Sequence, residues 1–314
     1  MKVMTANIKI NDFSFDRISS VQIESSWDLL TDTAEVTIPR ALYFASEILK
    51  DKIKVGDSIT IELGYNGANN VEFEGYVTKI TTDTPVVISC EDAMWKLKQK
   101  SVNKVFKKIS LQDLLSEIVT DFDTAAADLQ LGTLVIENST VAKVLQALKD
   151  DYGIYSYFKG NTLVSGKIYL DNTEQVEYGF EKNIISHDLK YVNADDLKIK
   201  ITAESIKHDG TKLTVSVGDD DGEESKLVYS GIDTQSELKK LAELDLARLK
   251  VDGYEGTITT FGVPYVQHGY TAYLESNQYP ERAGYYYIDS VSTTFNNSGF
   301  RRTLKIGGRA SEQI

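Results

Sequence analysis

Three histidines, one cysteine and a few clustered carboxylates carry whatever chemistry this 314-residue chain could perform. A hydrolytic triad needs a nucleophile held against an oriented base, and His187, His208 and His268 are the only imidazoles available, with no G-x-S-x-G elbow to accompany them. His268 stands beside Gly269 and His208 precedes Asp209-Gly210, which predicts solvated turn residues rather than catalytic ones. H-E-x-x-H, a phosphate-binding P-loop and G-x-G-x-x-G are all missing. The run Asp219-Asp220-Asp221-Gly222-Glu223-Glu224 invites a calcium reading but fails the spacing test: an EF-hand loop in that frame would start at Val217 and close at Val228, neither of which can ligate. An acidic hairpin tip in solvent is expected instead. Glu91-Asp92 offers a carboxylate pair for acid/base work, yet adjacent residues point apart, and a helix N-terminus accounts for both. Cys90 is the only cysteine, so intrachain disulfides and multi-thiolate zinc sites are excluded, and a reducing compartment fits. No catalytic residue, metal or cofactor is expected.

The elements that would position these residues are mostly strands. From Asn7 to Ser89 apolar residues recur at period two, as at Ile8 and Ile10, Val21 and Ile23, Val36 and Ile38, and Ile59, Ile61 and Leu63. Turn residues separate these runs at Asn11-Asp12, Val55-Gly56-Asp57 and Tyr65-Asn66-Gly67, and one helix is expected near 41–50. The period changes after Lys100. Ser110 and Thr234 cap amphipathic helices, a third runs from about Val141 to Asp151, and Ile154–Phe158 with Thr162–Leu170 reads as a hairpin across Lys159-Gly160-Asn161. Strands are then predicted at Leu197–Ile201, Leu213–Val217, Leu227–Tyr229, Tyr254–Phe261, Thr271–Leu274, Tyr285–Phe295 and Phe300–Ile306. The resulting fold class is mainly β with an α+β part: a first antiparallel β-barrel over 1–100, a small α+β domain over 101–172, and a second barrel over 173–314 into which a hairpin and helix (about 196–250) are inserted.

Composition agrees. A charge of −13 with 41% apolar residues is too hydrophobic for a disordered chain and too acidic for one that neutralises phosphates, so non-specific nucleic-acid binding is not expected. No apolar run is long enough for a membrane helix and Met1–Phe15 has no signal-peptide core, which predicts a chain made in the cytoplasm with no membrane insertion.

The most informative pattern is an internal echo. Val55-Gly56-Asp57-Ser58-Ile59, Tyr76-Val77-Thr78-Lys79-Ile80 and Val87-Ile88 match His268-Gly269-Tyr270-Thr271-Ala272, Tyr287-Ile288-Asp289-Ser290-Val291 and Leu304-Lys305-Ile306. Both ends carry the pattern of one three-strand meander, although unrelated meanders match this loosely. Tyr285-Tyr286-Tyr287-Ile288 is apolar at successive positions, so both faces of that strand should be covered, either by an overlying loop or by another subunit. Tyr76, Tyr285, Tyr286 and Tyr287 are therefore candidate interface residues.

Ser25–Pro39, the Gly56-Asp57 strand, Phe73-Glu74-Gly75-Tyr76-Val77 and Ile88-Ser89-Cys90-Glu91-Asp92 resemble the first barrel of phage tail baseplate hub proteins. Thr260–Pro264 and Gly284–Val291 resemble the second barrel of that family, which includes late control D and Mu-type tail proteins and is related to the N-terminal part of type VI secretion spike proteins. The resemblance implies a non-enzymatic structural protein in the tail baseplate of a virion, assembled in the bacterial cytoplasm. It implies a homotrimer whose two barrels per chain make a pseudo-sixfold ring between the tail tube, or its initiator, and a central spike, in contact with other baseplate proteins. Ending at Ile314, the sequence leaves the spike to a separate chain. A tail-tip protein of a long non-contractile tail is a variant; a carbohydrate-active or carbohydrate-binding surface protein is the alternative from another class. In a ring, the negative charge is expected on the surface facing the lumen, with the α+β domain outside; solubility alone is an equal explanation for it.

Overall fold

A computed structural model describes residues 2–39, 53–81, 85–167, 174–207 and 211–310. The helix expected near 41–50 and His208 lie outside the described residues. The first strands are β1 (Met4–Ile10), β2 (Phe13–Phe15), β3 (Ser20–Ser26), β4 (Thr33–Ile38), β5 (Ser58–Tyr65), β6 (Ala68–Thr81) and β7 (Val86–Glu91). Their period-two residues fill one core, with Ile8, Val36, Ile61, Val77 and Ile88 all fully buried. Burying each such side chain stabilises by roughly 1.5–3 kcal/mol. Because β1 and β3 lie at opposite ends of the order β3-β4-β7-β6-β5-β1 yet share this core, the sheet curls around it.

The middle of the chain holds α1 (Met94–Gln99), β8 (Ser101–Ser110), α2 (Leu111–Ile118), β9 (Asp123–Ala126), β10 (Gln130–Thr140), α3 (Val141–Tyr152), β11 (Tyr155–Lys159) and β12 (Thr162–Gly166). The cap predicted at Ser110 is present, with the Asp113 amide donating to its Oγ at 3.1 Å, and Thr140 is a further cap, accepting from the Lys143 amide at 3.4 Å. Gly160, at φ +58°, turns the β11–β12 hairpin. The long β8–β10 ribbon was not legible in the sequence, because both its strands are largely exposed and lack a clean alternation.

The last part comprises β13 (Gln175–Gly179), β14 (Ile184–Val192), β15 (Ile199–Ile206), β16 (Lys212–Gly218), β17 (Glu223–Ser230), α4 (Gln235–Leu249), β18 (Gly253–Phe261), β19 (Thr271–Glu275), β20 (Gly284–Asn296) and β21 (Gly299–Arg309). β13 and β14 are not among the predicted strands; β14 is a sheet edge and is mostly exposed, so it lacks a buried stripe with period two. β16, β15 and β17 form a separate sheet covered by α4, whose Leu238 and Ala242 are fully buried against it. The acidic run is not a hairpin tip, because β17 pairs in parallel with β15 and not with β16. Asp219–Gly222 instead crosses the start of β15, where Asp219 bonds Lys250 Nζ at 2.9 Å and Lys198 pairs with Asp221. The expected solvated tip is therefore an ion-paired crossover.

Strands from both ends of the chain belong to one thirteen-stranded sheet, joined where β20 pairs with β3. The second half follows the order β14-β18-β21-β20-β19-β13, which repeats the first, element for element. One pairing differs in sense: β1 runs antiparallel to β5, whereas β13 runs parallel to β19. Among the described residues no helix is long and apolar enough to cross a membrane.

Candidate functional site

Two features could do work: the repeat that relates the two halves, and the polar junction where they meet the α+β part.

The repeat holds at atomic detail. Ser58 pairs with Tyr76 and, in the echo, Thr271 pairs with Tyr287. Gly56, at φ +95°, donates its amide to the Val77 carbonyl at 2.8 Å; Gly269, at φ +86°, donates to the Ile288 carbonyl at 2.8 Å. The return bonds, Val77 to Asp57 and Ile288 to Tyr270, are each 2.9 Å. Both meanders then carry a bulge at the same place, since Thr78 and Asp289 are the extra residues in ladders that resume at Lys79–Ser89 and Ser290–Lys305. Bulges re-aim a strand and increase its twist, so matching ones give the two halves the same local curvature.

At the junction, Ser25 on β3 shares a 2.6 Å hydrogen bond with His268 Nδ1. His268 is buried, contrary to the solvated turn predicted for it; its backbone does turn, but the turn is covered by Trp27 and Tyr157, whose rings lie 5.0 Å from the imidazole. Trp27 follows β3, Tyr157 lies on β11 and His268 precedes β19, so one aromatic cluster ties the three parts of the chain together. Burial pushes the His268 pKa down to about 4, which keeps the ring neutral.

Asp32 and Asp92 face each other across the same region, where the Asp32 amide donates to Asp92 Oδ2 at 3.2 Å and the Asp92 amide to the Asp32 carbonyl at 3.0 Å. Burial raises both carboxyls and outweighs the hydrogen bonds from Ser25 and Gln267 at Asp32, which is pushed up to about 7. As expected of adjacent residues, Glu91 and Asp92 point apart: Glu91 reaches Lys98 at 2.7 Å, while Asp92 Oδ1 accepts from the Met94 amide at 2.9 Å at the start of α1. No local signal marks the Asp32–Asp92 meeting, because the two residues are brought together only by the β4–β7 pairing.

A cavity of about 380 Å³ opens beside these groups, lined by Asp32, Glu72, Asp92, Phe158, Tyr265 and Arg302 among others. Among its lining groups Glu72 pairs with Arg302, and Asp92 accepts from the Asp32 amide. Ser25 bonds both His268 Nδ1, at 2.6 Å, and Asp32, so one buried hydroxyl ties β3 to the turn before β19 and to the segment before β4. The arrangement locks a junction between the parts of the chain.

Of the candidate interface tyrosines, Tyr286 is fully buried in this chain's own core and its hydroxyl accepts from the Tyr254 amide at 3.3 Å, which removes it from any subunit surface. Tyr285 and Tyr287 are half-buried on the opposite face of β20, Tyr285 against Tyr273 at 4.9 Å. Tyr76 stacks on Trp95 at 5.7 Å and stays partly exposed.

No protein-family model matches the sequence, and no curated protein matches it. Solved structures do. A tail protein from Neisseria meningitidis MC58 superposes with a TM-score of 0.65 at 15% identity, covering 98% of this chain and 97% of the other. The fold is that of phage tail proteins. The 43 kDa tail protein of prophage MuSo2 from Shewanella oneidensis gives a TM-score of 0.65 at 14% identity, with 96% and 97% covered. The E. coli c3393 protein, a type VI secretion component described as similar to T4 tail proteins gp27 and gp5, gives 0.63 at 9% identity over 97% of this chain and 77% of that one. This phage tail fold, mainly β with a small α+β part, agrees with the class read from the sequence.

Proposed function

We propose that this chain is a structural baseplate hub protein of a phage or phage-like contractile tail, with no enzymatic activity. In this reading its barrels, over 1–100 and 173–314, are ring units, and three copies form a pseudo-sixfold ring between the tail tube and a separate spike chain. The observation that carries it is the internal repeat: the same strand order, register, glycine turn and bulge occur twice, so each chain offers two near-equivalent units, as a joint between sixfold and threefold partners requires. The likeness to phage tail structures over nearly the whole chain supports it. The net charge of −13 suits a lumen past which a polyanion slides without binding. The carbohydrate alternative would need two carboxylates free to act on a glycoside, and Asp32 and Asp92 are engaged with each other and with the backbone. Multi-angle light scattering of the purified chain, alone and with a candidate spike protein, tests the reading. A threefold assembly with the spike is expected, and a persistent monomer or symmetric dimer in its presence would overturn it.

A further inference from the structure

The β20–β3 ladder joins the two halves of one chain, and the repeat makes its two edges recur elsewhere. Ser292 pairs there with Glu24 and Val291 with Ser25. By the matched bulges, Val291 and Ser292 of β20 correspond to Ile80 and Thr81 of β6. The counterpart of β3 is found by walking across the sheet. Ile88, opposite Ile80, pairs with Val36, which pairs with Val21; Leu304, opposite Val291, pairs with Ile258, which pairs with His187. Val21 therefore corresponds to His187, and Glu24 to Lys190 on β14.

Among the described residues both counterpart edges are open. β14 pairs only with β18, and beyond the Val77 bond to Asp57 the Lys79–Thr81 stretch pairs only with β7 among the described residues. The edge of β14 also exposes Ile185 (43%). An unpaired row of backbone donors and acceptors is a template for another strand. Side-chain facing agrees as well: Ile80 and Leu189 pack against their respective cores, as Val291 and Ile23 are buried in theirs, and strand alternation puts Thr81 and Lys190 on the other face with Ser292 and Glu24.

We infer that β6 of one copy pairs antiparallel with β14 of the next copy of this chain, repeating the β20–β3 ladder in its own register, with Thr81 opposite Lys190 and Ile80 opposite Tyr191. The contact is head-to-tail: each copy uses one edge to give and the other to receive, so copies close into a ring rather than a twofold dimer when the rotation permits. The inference rests on the ring reading above and adds which edges close the ring and in what register.

Opposed residues of an antiparallel pair lie about 4.5–5.5 Å apart at Cα, within the range of a disulfide. A chain carrying Thr81→Cys and Lys190→Cys is oxidised mildly, alone and with the spike protein; the native Cys90 is buried and its pKa is pushed up to about 12, so it stays silent. The expected result is a shift from monomer to a reductant-sensitive covalent trimer, absent from the out-of-register pair Thr81→Cys and Ser186→Cys. Equal cross-linking of both pairs overturns the register. An assembly seen by light scattering that fails to cross-link overturns the ladder and leaves the ring, whereas cross-linked products that close at a number other than three keep the ladder and overturn the trimer. No association and no cross-link with the spike present removes both.

Discussion

Arg302 Nη2 lies 2.7 Å from both carboxylate oxygens of Glu72, and the two side chains are about 1% exposed. Arg302 is on β21 and Glu72 on β6, so this buried ion pair clamps the second half of the sheet to the first. Its other bonds lie within the second half, from Nε to the Gly262 and Pro264 carbonyls and from Nη1 to Thr293 Oγ1. Burial raises the Glu72 pKa against the opposing effect of Arg302, so the pair carries a desolvation cost that its geometry must offset.

Removing one partner should therefore cost more than removing both. Glu72→Ala or Arg302→Ala is expected to destabilise by about 3–5 kcal/mol, since each leaves an uncompensated buried charge, while Glu72→Met with Arg302→Met should lose much less. Chemical denaturation followed by tryptophan fluorescence measures the difference.

Asp32 gives stability a pH slope of unusual sign. Its folded pKa of about 7 lies above the ordinary 3.8, so the folded chain holds a proton that the unfolded chain releases; stability falls as pH rises through that window and levels off above it. Asp32→Asn mimics the protonated acid. Its melting temperature should gain on the native chain as pH is raised from 5 to 8, and parallel melting curves across that range would contradict the assignment.

His268 works in the opposite direction. With a folded pKa of about 4 against 6.5, its contribution is complete above pH 6.5 and is lost as pH falls toward 4. His268→Asn keeps a donor for Ser25 but loses the ring packed on Trp27 and Tyr157. A loss of roughly 1–3 kcal/mol at neutral pH is expected, with a shallower decline on acidification. Melting curves at pH 4.5 and 7 distinguish the two effects.

Equivalent turns should respond alike. Gly56→Ala and Gly269→Ala each place a Cβ on a backbone with positive φ, and at Gly56 that Cβ would also lie 3.2 Å from the Trp95 ring. Each is expected to cost about 1–2 kcal/mol, Gly56 slightly more. Urea midpoints of the two variants measured side by side check it.

Features that depend on neighbours along the chain are readable in the residues alone. Alternation at Ile8–Ile10 and Val36–Ile38 marked half-buried strands, Ser110 and Thr234 marked helix starts, and the Gly56–Gly269 echo marked the repeat, because each of these reports local backbone conformation or one buried face. Exposed strands such as β14 and the β8–β10 ribbon left no such trace. Meetings of residues distant in sequence arise only on folding: Asp32 with Asp92, Ser25 with His268, Glu72 with Arg302, and the crossing of Asp219–Gly222 over β15. His268 shows why. Beside a glycine it reads as a solvated turn, and the turn exists, but burial is set by what packs over it, and Trp27 and Tyr157 arrive from elements more than a hundred residues away.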